Sequence, residues 1–344
     1  MGHRHVLTAA ALDPLVQAWE RRPLPHAHRA VYGLADVSLQ VRSDDERLLE
    51  RLAATLGSPI EAERPTLSAS VRVDQAAACG HVRLESERAW DAADLLLGLH
   101  SPEFPFEEIP GDPGWLCLAF RGQAERALAF RGPDCVFRLE DRWRTAIALF
   151  LFHRLLRMRP EALFFHAATV AVDGRGALLV GPKGSGKSTT ALALAARGHM
   201  LLGDETACYL PERRTVLPMR RPVGIKPGPR AREVDEVIAR RGLRPQEDGI
   251  LRVDATALLP SRAPSAVPLR SVVFLRGFAA APEVVPIQPG REELSALQPL
   301  ACSLVDASPA RRVFEMVRLF EGLQVFRLRP ADPDETAAAL ERFL

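Results

Sequence analysis

The sequence predicts an α/β protein in two parts: a smaller α+β domain over residues 1–140 and a larger α/β domain over 141–344. Three observations predict it. Short β-like runs alternate with helix-like runs along the whole chain. A glycine-rich turn sits between a hydrophobic strand and a helix in the second half. And 344 residues are enough for two ordinary hydrophobic cores.

In the first part, the runs "VYGLADVSLQVRS", "TLSASVRV", "HVRLES", "WLCLAFRG", "ALAFRG" and "CVFRLE" alternate and are rich in β-branched and aromatic residues, as strands are. "DDERLLERLAATLG" puts Leu48, Leu49, Leu52 and Leu56 on one helical face and ends at Gly57. "ERAWDAADLLLGLH" is a second helix candidate. The proline-rich 100–114 is expected to be a loop. No residues in this half combine into recognisable chemistry.

A helix expected at about 141–158 leads into the second part. Its apolar run "AIALFLF" is bounded by Arg144 and His153 and is too short to cross a bilayer, so it is expected to be buried. "FFHAATVAVDGRGALLVG" gives two strands joined at Asp173-Gly174, a strong hairpin signal. Beyond residue 205 come a Pro/Arg-rich stretch (211–232), a helix near 231–241 and a strand "LRSVVFLRG". A helix opening at Ser308, a strand "QVFRLRP" and a helix "DPDETAAALERFL" close the pattern.

Composition excludes several classes. Hydrophobic content of 47% with 26% charged residues is that of a soluble globular chain, and a net charge of +2 argues against a polyanion binder. Five scattered cysteines without a C-x-x-C argue against a disulfide scaffold or a zinc site and fit a reducing compartment. The N-terminus lacks the long apolar core of a signal peptide, so the expected location is the cytoplasm, without membrane partners. Only three lysines (Lys183, Lys187 and Lys226) accompany 42 arginines, and two of the three lie in the glycine-rich turn. A compact, flexible ammonium there suits a phosphate.

That turn, Gly181-Pro182-Lys183-Gly184-Ser185-Gly186-Lys187-Ser188, matches G-x-x-x-x-G-K-[ST], with the strand "ALLV" before it and the helix "STTALALAARG" after. Glycines at 181, 184 and 186 let backbone N–H groups point inward at phosphate oxygens, and the helix N-terminus adds donors through Thr189. Lys187 can reach the terminal phosphates, and the Ser188 hydroxyl can ligate Mg²⁺. ATP and Mg²⁺ are the expected ligands. The cradle does not name the acceptor.

Gly198 ends the helix, "HMLL" makes a short strand, and Asp204-Glu205 stand at its end, 17 residues after Lys187. Carboxylates in that position can bind Mg²⁺ or accept a hydroxyl proton. The chain lacks both an LSGGQ-type signature and an N-K-x-D base reader, which argues against ABC-type ATPases and switch GTPases. The short strand–cradle–helix–strand–acid unit suits a phosphoryl transferase.

The stretch "FFHAATVAVDGRGALLVGPKGSGKSTTALALAARGHMLLGDE" resembles the catalytic domain of HPr kinase/phosphorylase, in its His before the hairpin, its cradle, its "RGH" and its acidic pair. The resemblance implies a PEP-carboxykinase-like P-loop kinase domain. It implies that His166 lies near the transferred phosphoryl group, that Lys187 neutralises it and that Ser188 holds Mg²⁺. The acidic pair would supply the base; Asp204 is favoured, with Glu205 nearer the metal. A homo-oligomer is implied as well. Departures are Thr189 in place of an acid, Glu205 in place of a second Asp, and Met219 in place of a metal-binding Glu, while Arg221, Gly224 and Ile225 match. These argue against the reverse phosphorylase reaction and against HPr as acceptor. Related shorter proteins include serine kinases of lasso precursor peptides, which "VPLRSVVFLRG" and "QVFRLRPADPDE" resemble more.

Arg213, Arg214, Arg220, Arg221, Lys226, Arg230 and Arg232 cluster after the acidic pair. Of these, Arg221 is the candidate for steadying a γ-phosphate. Nucleic acid is disfavoured, since no aromatic platform accompanies these charges. The expected function is therefore an ATP- and Mg²⁺-dependent kinase for a Ser on a small protein or peptide. The alternatives are a small-molecule kinase and a nucleotide-binding assembly module of a peptide-maturation system.

Overall fold

A computed structural model describes residues 9–21, 27–76, 78–85, 106–109, 114–121, 126–139, 143–219, 221–245, 249–254, 258, 266–298 and 308–344. The helix expected at 87–100 lies outside them. The chain divides into two compact units, Met1–Pro160 and Glu161–Leu344. The division falls after the helix expected to open the second domain, because that helix packs on elements of the first unit.

The first unit opens with α1 (Ala9–Glu20), which buries Leu12, Val16 and Trp19 along one face. A hairpin follows, β1 (His28–Leu34) and β2 (Val37–Ser43), splitting the single expected run at Ala35, where φ is +52°. Then come α2 (Glu46–Leu56), β3 (Leu67–Asp74), β4 (Cys79–Leu84), β5 (Phe106–Ile109), β6 (Leu116–Phe120), β7 (Arg126–Arg131), β8 (Asp134–Arg138) and α3 (Trp143–Leu156). The strands form one sheet in the order β1-β2-β3-β4-β8-β7-β6-β5. β5 corrects the expected loop over 100–114. Among the described residues it pairs only with β6, at the sheet edge. The "AIALFLF" run is buried in α3, and no described helix is long and apolar enough to cross a membrane.

One carboxylate ties two of these helices together. Asp45 caps α2 by accepting from the Leu48 amide at 2.9 Å, and it receives Arg144 of α3 through two bonds, at 3.0 and 2.6 Å. Burial would raise its pKa, but Arg144 and the Leu48 amide outweigh that and hold it below the usual range. Asp45→Ala should therefore cost about 2 kcal/mol of stability. The folded pKa is depressed, so this contribution is present at neutral pH and fades as pH falls through it. All four tryptophans (Trp19, Trp90, Trp115 and Trp143) lie in this unit, so denaturation followed by their fluorescence checks both statements.

The second unit is built around a sheet that branches at its longest strand. It runs β9 (Leu163–Phe165), β10 (Ala168–Val172), β11 (Arg175–Val180), α4 (Lys187–Ala196), β12 (Met200–Gly203), β13 (Ala207–Leu210), β14 (Thr215–Leu217), β15 (Val223–Ile225), α5 (Arg232–Arg240) and β16 (Leu251–Val253). β17 (Val267–Leu275), β18 (Glu283–Pro286), α6 (Arg291–Leu297), α7 (Pro309–Phe320), β19 (Gln324–Arg329) and α8 (Pro333–Glu341) complete it. The order is β12-β10-β11-β17-β14-β13-β9, with β19 also on β17 and β18 beyond it. β15 and β16 pair apart, adding two short strands that the sequence pattern did not announce.

Side chains alternate between two cores. Leu179, Val273 and Leu328 pack with α4, α5 and α8 on one face; Leu178, Phe274 and Val325 pack with α6 and α7 on the other. The hairpin β10–β11 turns at Asp173 (φ +48°) and Gly174 (φ +76°), the two left-handed residues that such a tight turn requires. Ser308 caps α7 as expected, and Asp332 caps α8.

Strand direction sets where chemistry can happen. β11, β17 and β19 run parallel, and β12 shares their sense because both it and β11 are antiparallel to β10. Their C-terminal ends therefore share one edge of the sheet. That is where open α/β sheets present loops to ligands.

Candidate functional site

At that edge the chain leaves β11 and enters α4 through residues 181–186 with no side chain capping the helix. Gly184 (φ +83°) and Gly186 (φ +96°) hold left-handed conformations, and a Cβ on Gly181 would meet Ser185 Oγ at 2.6 Å and the Leu275 carbonyl at 2.8 Å. The loop therefore closes tightly, leaving the first α4 amides for a ligand. Pro182, Lys183 and Gly184 are exposed, and Ser188 and Thr189 are half-buried in the first turn. Lys187 is buried, and its ammonium donates to the carbonyls of Gly181 at 2.8 Å and Pro182 at 3.1 Å, folding the side chain back over the loop.

The acidic pair arrives on the next strand of the same sense. Ser188 donates its hydroxyl to Asp204 Oδ1 at 2.8 Å. Asp204 is only 2% exposed, and its second oxygen, Oδ2, is buried with no hydrogen-bond partner; so is the Ser185 hydroxyl. Buried polar atoms without a partner are uncommon in folded proteins, and two of them at one loop are consistent with a ligand or ion there. Burial pushes the Asp204 carboxyl above its ordinary value; the Ser188 bond and Lys187 oppose this, and the neighbouring Glu205 charge adds to it.

Glu205 is half-buried and sits at φ +60°, a left-handed conformation that costs a non-glycine residue about 1–2 kcal/mol. Two contacts hold it there. The Thr206 amide donates to the Asp204 carbonyl at 2.7 Å, and His166 Nδ1 donates to the Glu205 carbonyl at 3.1 Å. A carbonyl only accepts, so the proton is on Nδ1. His166 itself lies just past β9, ahead of β10. Backbone strain over-determined in this way clusters at functional sites.

The basic stretch reaches the same corner through one residue. Arg221 donates to Thr206 Oγ1 at 2.6 Å, and the Met219 amide donates to the Leu202 carbonyl at 2.6 Å, laying the chain against Gly203. Arg230 and Arg232 instead pair with Asp235 and Glu236 at the start of α5, and Arg220 lies outside the described residues. Short contacts thus link Ser188 to Asp204, His166 to Glu205 and Arg221 to the adjoining Thr206 at this edge, with Lys187 next to Ser188 on α4. Of the other described residues of that stretch, Arg230 and Arg232 are engaged at α5 instead.

Sequence reading missed one component. The turn after β17 and the end of β19 flank the cradle: a Cβ on Gly186 would lie 3.5 Å from Pro330 Cγ, 3.8 Å from Phe278 Cε1 and 3.9 Å from Leu275 Cδ2. No local signal marks these residues, which converge only through parallel strand pairing.

The donor set fits the expected ligands. Among the described residues no cluster of three or more His, Cys, Asp or Glu could hold a metal unaided. A hydroxyl, a nearby carboxylate and substrate phosphates form the sparse set that Mg²⁺ takes while keeping its waters.

Comparison with known proteins agrees in part. No family model matches the chain. Over 64 residues it is 41% identical to an HPr kinase/phosphorylase of Caldicellulosiruptor bescii, covering 19% of this chain and 19% of that protein. The chain thus carries an HPr-kinase-like stretch, which spans about a fifth of that relative's length. Among solved structures it is similar to an HPr(Ser) kinase/phosphatase from Coxiella burnetii, at 17% identity and a TM-score of 0.29, covering 52% of this chain and 96% of that one.

Proposed function

We propose that the chain is an ATP-dependent serine kinase, its second unit a PEP-carboxykinase-like P-loop domain that passes the γ-phosphoryl group to a Ser hydroxyl of a small protein or precursor peptide. The observation that carries this reading is the 2.8 Å contact between Ser188 and a buried Asp204 with one orphaned oxygen. A cradle serine bonded to a strand-end carboxylate is the pairing with which P-loop proteins hold Mg²⁺ on bound nucleotide. The partial likeness to an HPr kinase/phosphorylase supports a kinase-type function.

The loop amides and the start of α4 would bind the phosphates of ATP, with the Lys187 ammonium at the terminal ones. Ser188 and Asp204 would hold Mg²⁺, which supplies charge neutralisation on the triphosphate. Glu205 follows Asp204 but is half-exposed, so its longer carboxylate suits the acceptor side. The seryl oxygen attacks the γ-phosphorus, the bond to the β,γ-bridging oxygen breaks, ADP leaves and Glu205 takes the seryl proton. This exchanges the roles that the resemblance favours for the two acids, because Asp204 is already committed to Ser188. His166 is the positioning residue for Glu205 through its carbonyl. Arg221, bonded to the same turn, would steady the transferred group.

The test incubates the full chain with γ-labelled ATP, Mg²⁺ and the polypeptides encoded beside it. Label on a serine of one polypeptide is the expected result. ATP consumption with label only on a metabolite, or nucleotide binding with no acceptor, would replace this reading with a small-molecule kinase or an assembly module.

A further inference from the structure

We propose that Phe278 is the platform on which the base of the bound nucleotide stacks, a role that rests on the reading of 181–188 as a triphosphate cradle. A Phe ring 59% exposed is unremarkable alone, since single apolar side chains are common on protein surfaces. Its setting distinguishes it. Phe278 follows β17 at the same edge as the cradle, and its ring lies against Gly186, the residue that opens α4.

The backbone beneath the ring is fastened. The Arg276 amide donates to the Leu328 carbonyl at 2.9 Å, and the Ala279 amide to the Pro330 carbonyl at 3.0 Å. Arg329 Nη2 donates to the Phe278 carbonyl at 3.0 Å, while Nη1 of the same guanidinium grips Glu283 at 3.1 and 2.9 Å. Gly277, at φ +64°, supplies the turn that lifts the ring out of the strand. The result is a largely exposed aromatic side chain on a fastened backbone, with its ring edge and Pro330 both beside Gly186.

The cradle holds phosphates through backbone donors and so has no means of its own to recognise a nucleoside. Two buried polar groups at the cradle, Ser185 Oγ and Asp204 Oδ2, lack partners and point independently to a ligand here. Phe278 and Pro330 both lie within 4 Å of a Cβ placed on Gly186, so a nucleoside attached to phosphates on this loop would have an aromatic ring within reach. A purine offers the flat, apolar, polarisable face that stacks on such a ring, and stacking contributes without selecting one base strictly.

The experiment compares ATP with inorganic tripolyphosphate, each with Mg²⁺, by calorimetry on the full chain and on Phe278→Ala and Phe278→Trp. The expected result is that Phe278→Ala weakens ATP by about 10-fold to 100-fold and leaves tripolyphosphate unchanged. Phe278→Trp should restore ATP affinity, and its added emission should be quenched by ATP and not by tripolyphosphate. Equal loss of both ligands, or loss of neither, overturns the platform. If the parent protein binds neither ligand, the cradle reading itself falls, a failure visible before any variant is made.

Discussion

Glu205→Gln should lower phosphoryl transfer by about 10²-fold to 10⁴-fold while leaving Mg²⁺-dependent ATP binding close to the parent's, because a positioned base acts only in the chemical step. Asp204→Asn should behave differently. The amide keeps the shape and can still accept from Ser188, but the charge beside the metal site is gone, so the gain in ATP affinity on adding Mg²⁺ should shrink together with transfer. Measuring ATP affinity with and without Mg²⁺ alongside single-turnover transfer separates the two acids. Should Asp204→Asn keep its Mg²⁺ dependence and lose transfer while Glu205→Gln keeps both, the buried acid is the base and the assignment reverses. The distinction follows from exposure. Asp204 is buried with one oxygen engaged by Ser188, whereas Glu205 is only half-buried.

The conformation of Glu205 explains why this distinction was not legible in the sequence. "GDE" announces two carboxylates at a strand end and nothing about which turns inward. The answer comes from a left-handed residue held by His166, between β9 and β10, and by the Thr206 turn. The glycine-rich turn, the Asp173-Gly174 hairpin, the leucine face of α2 and the Ser308 cap were legible because each is a short-range pattern with its own local physics. The mixed α/β character was legible for the same reason. α1 repeats Leu12, Val16 and Trp19 at helical spacing, but Pro14 interrupts the run and reads as a stop. β5 hides in a proline-rich segment and is recognisable only beside its partner β6. Phe278 and Pro330 reach the cradle through the parallel register of β17 with β19, a long-range pairing that no window of sequence encodes.

Lys187→Ala should impair both steps at once, cutting transfer by about 10²-fold to 10³-fold and weakening ATP binding as well. Three features converge on this residue. It is 8% exposed, so its charge acts in surroundings where attraction to phosphate is poorly screened. Its ammonium lies across the loop on the Gly181 and Pro182 carbonyls, so it already spans the turn that the phosphates would enter. And the chain uses arginine nearly everywhere else, so a lysine here answers a steric demand rather than a compositional habit. Lys187→Arg tests that last point: it restores the charge but replaces a compact ammonium with a larger planar fork at a buried position. It should therefore rescue neither binding nor transfer. Thermal unfolding of both variants near the parent's would tie the loss to the site, since α4 is held to the sheet by Ala191–Ala195 and at its far end by Arg197 and His199 on Glu341. Full activity in Lys187→Arg would mean that charge alone suffices.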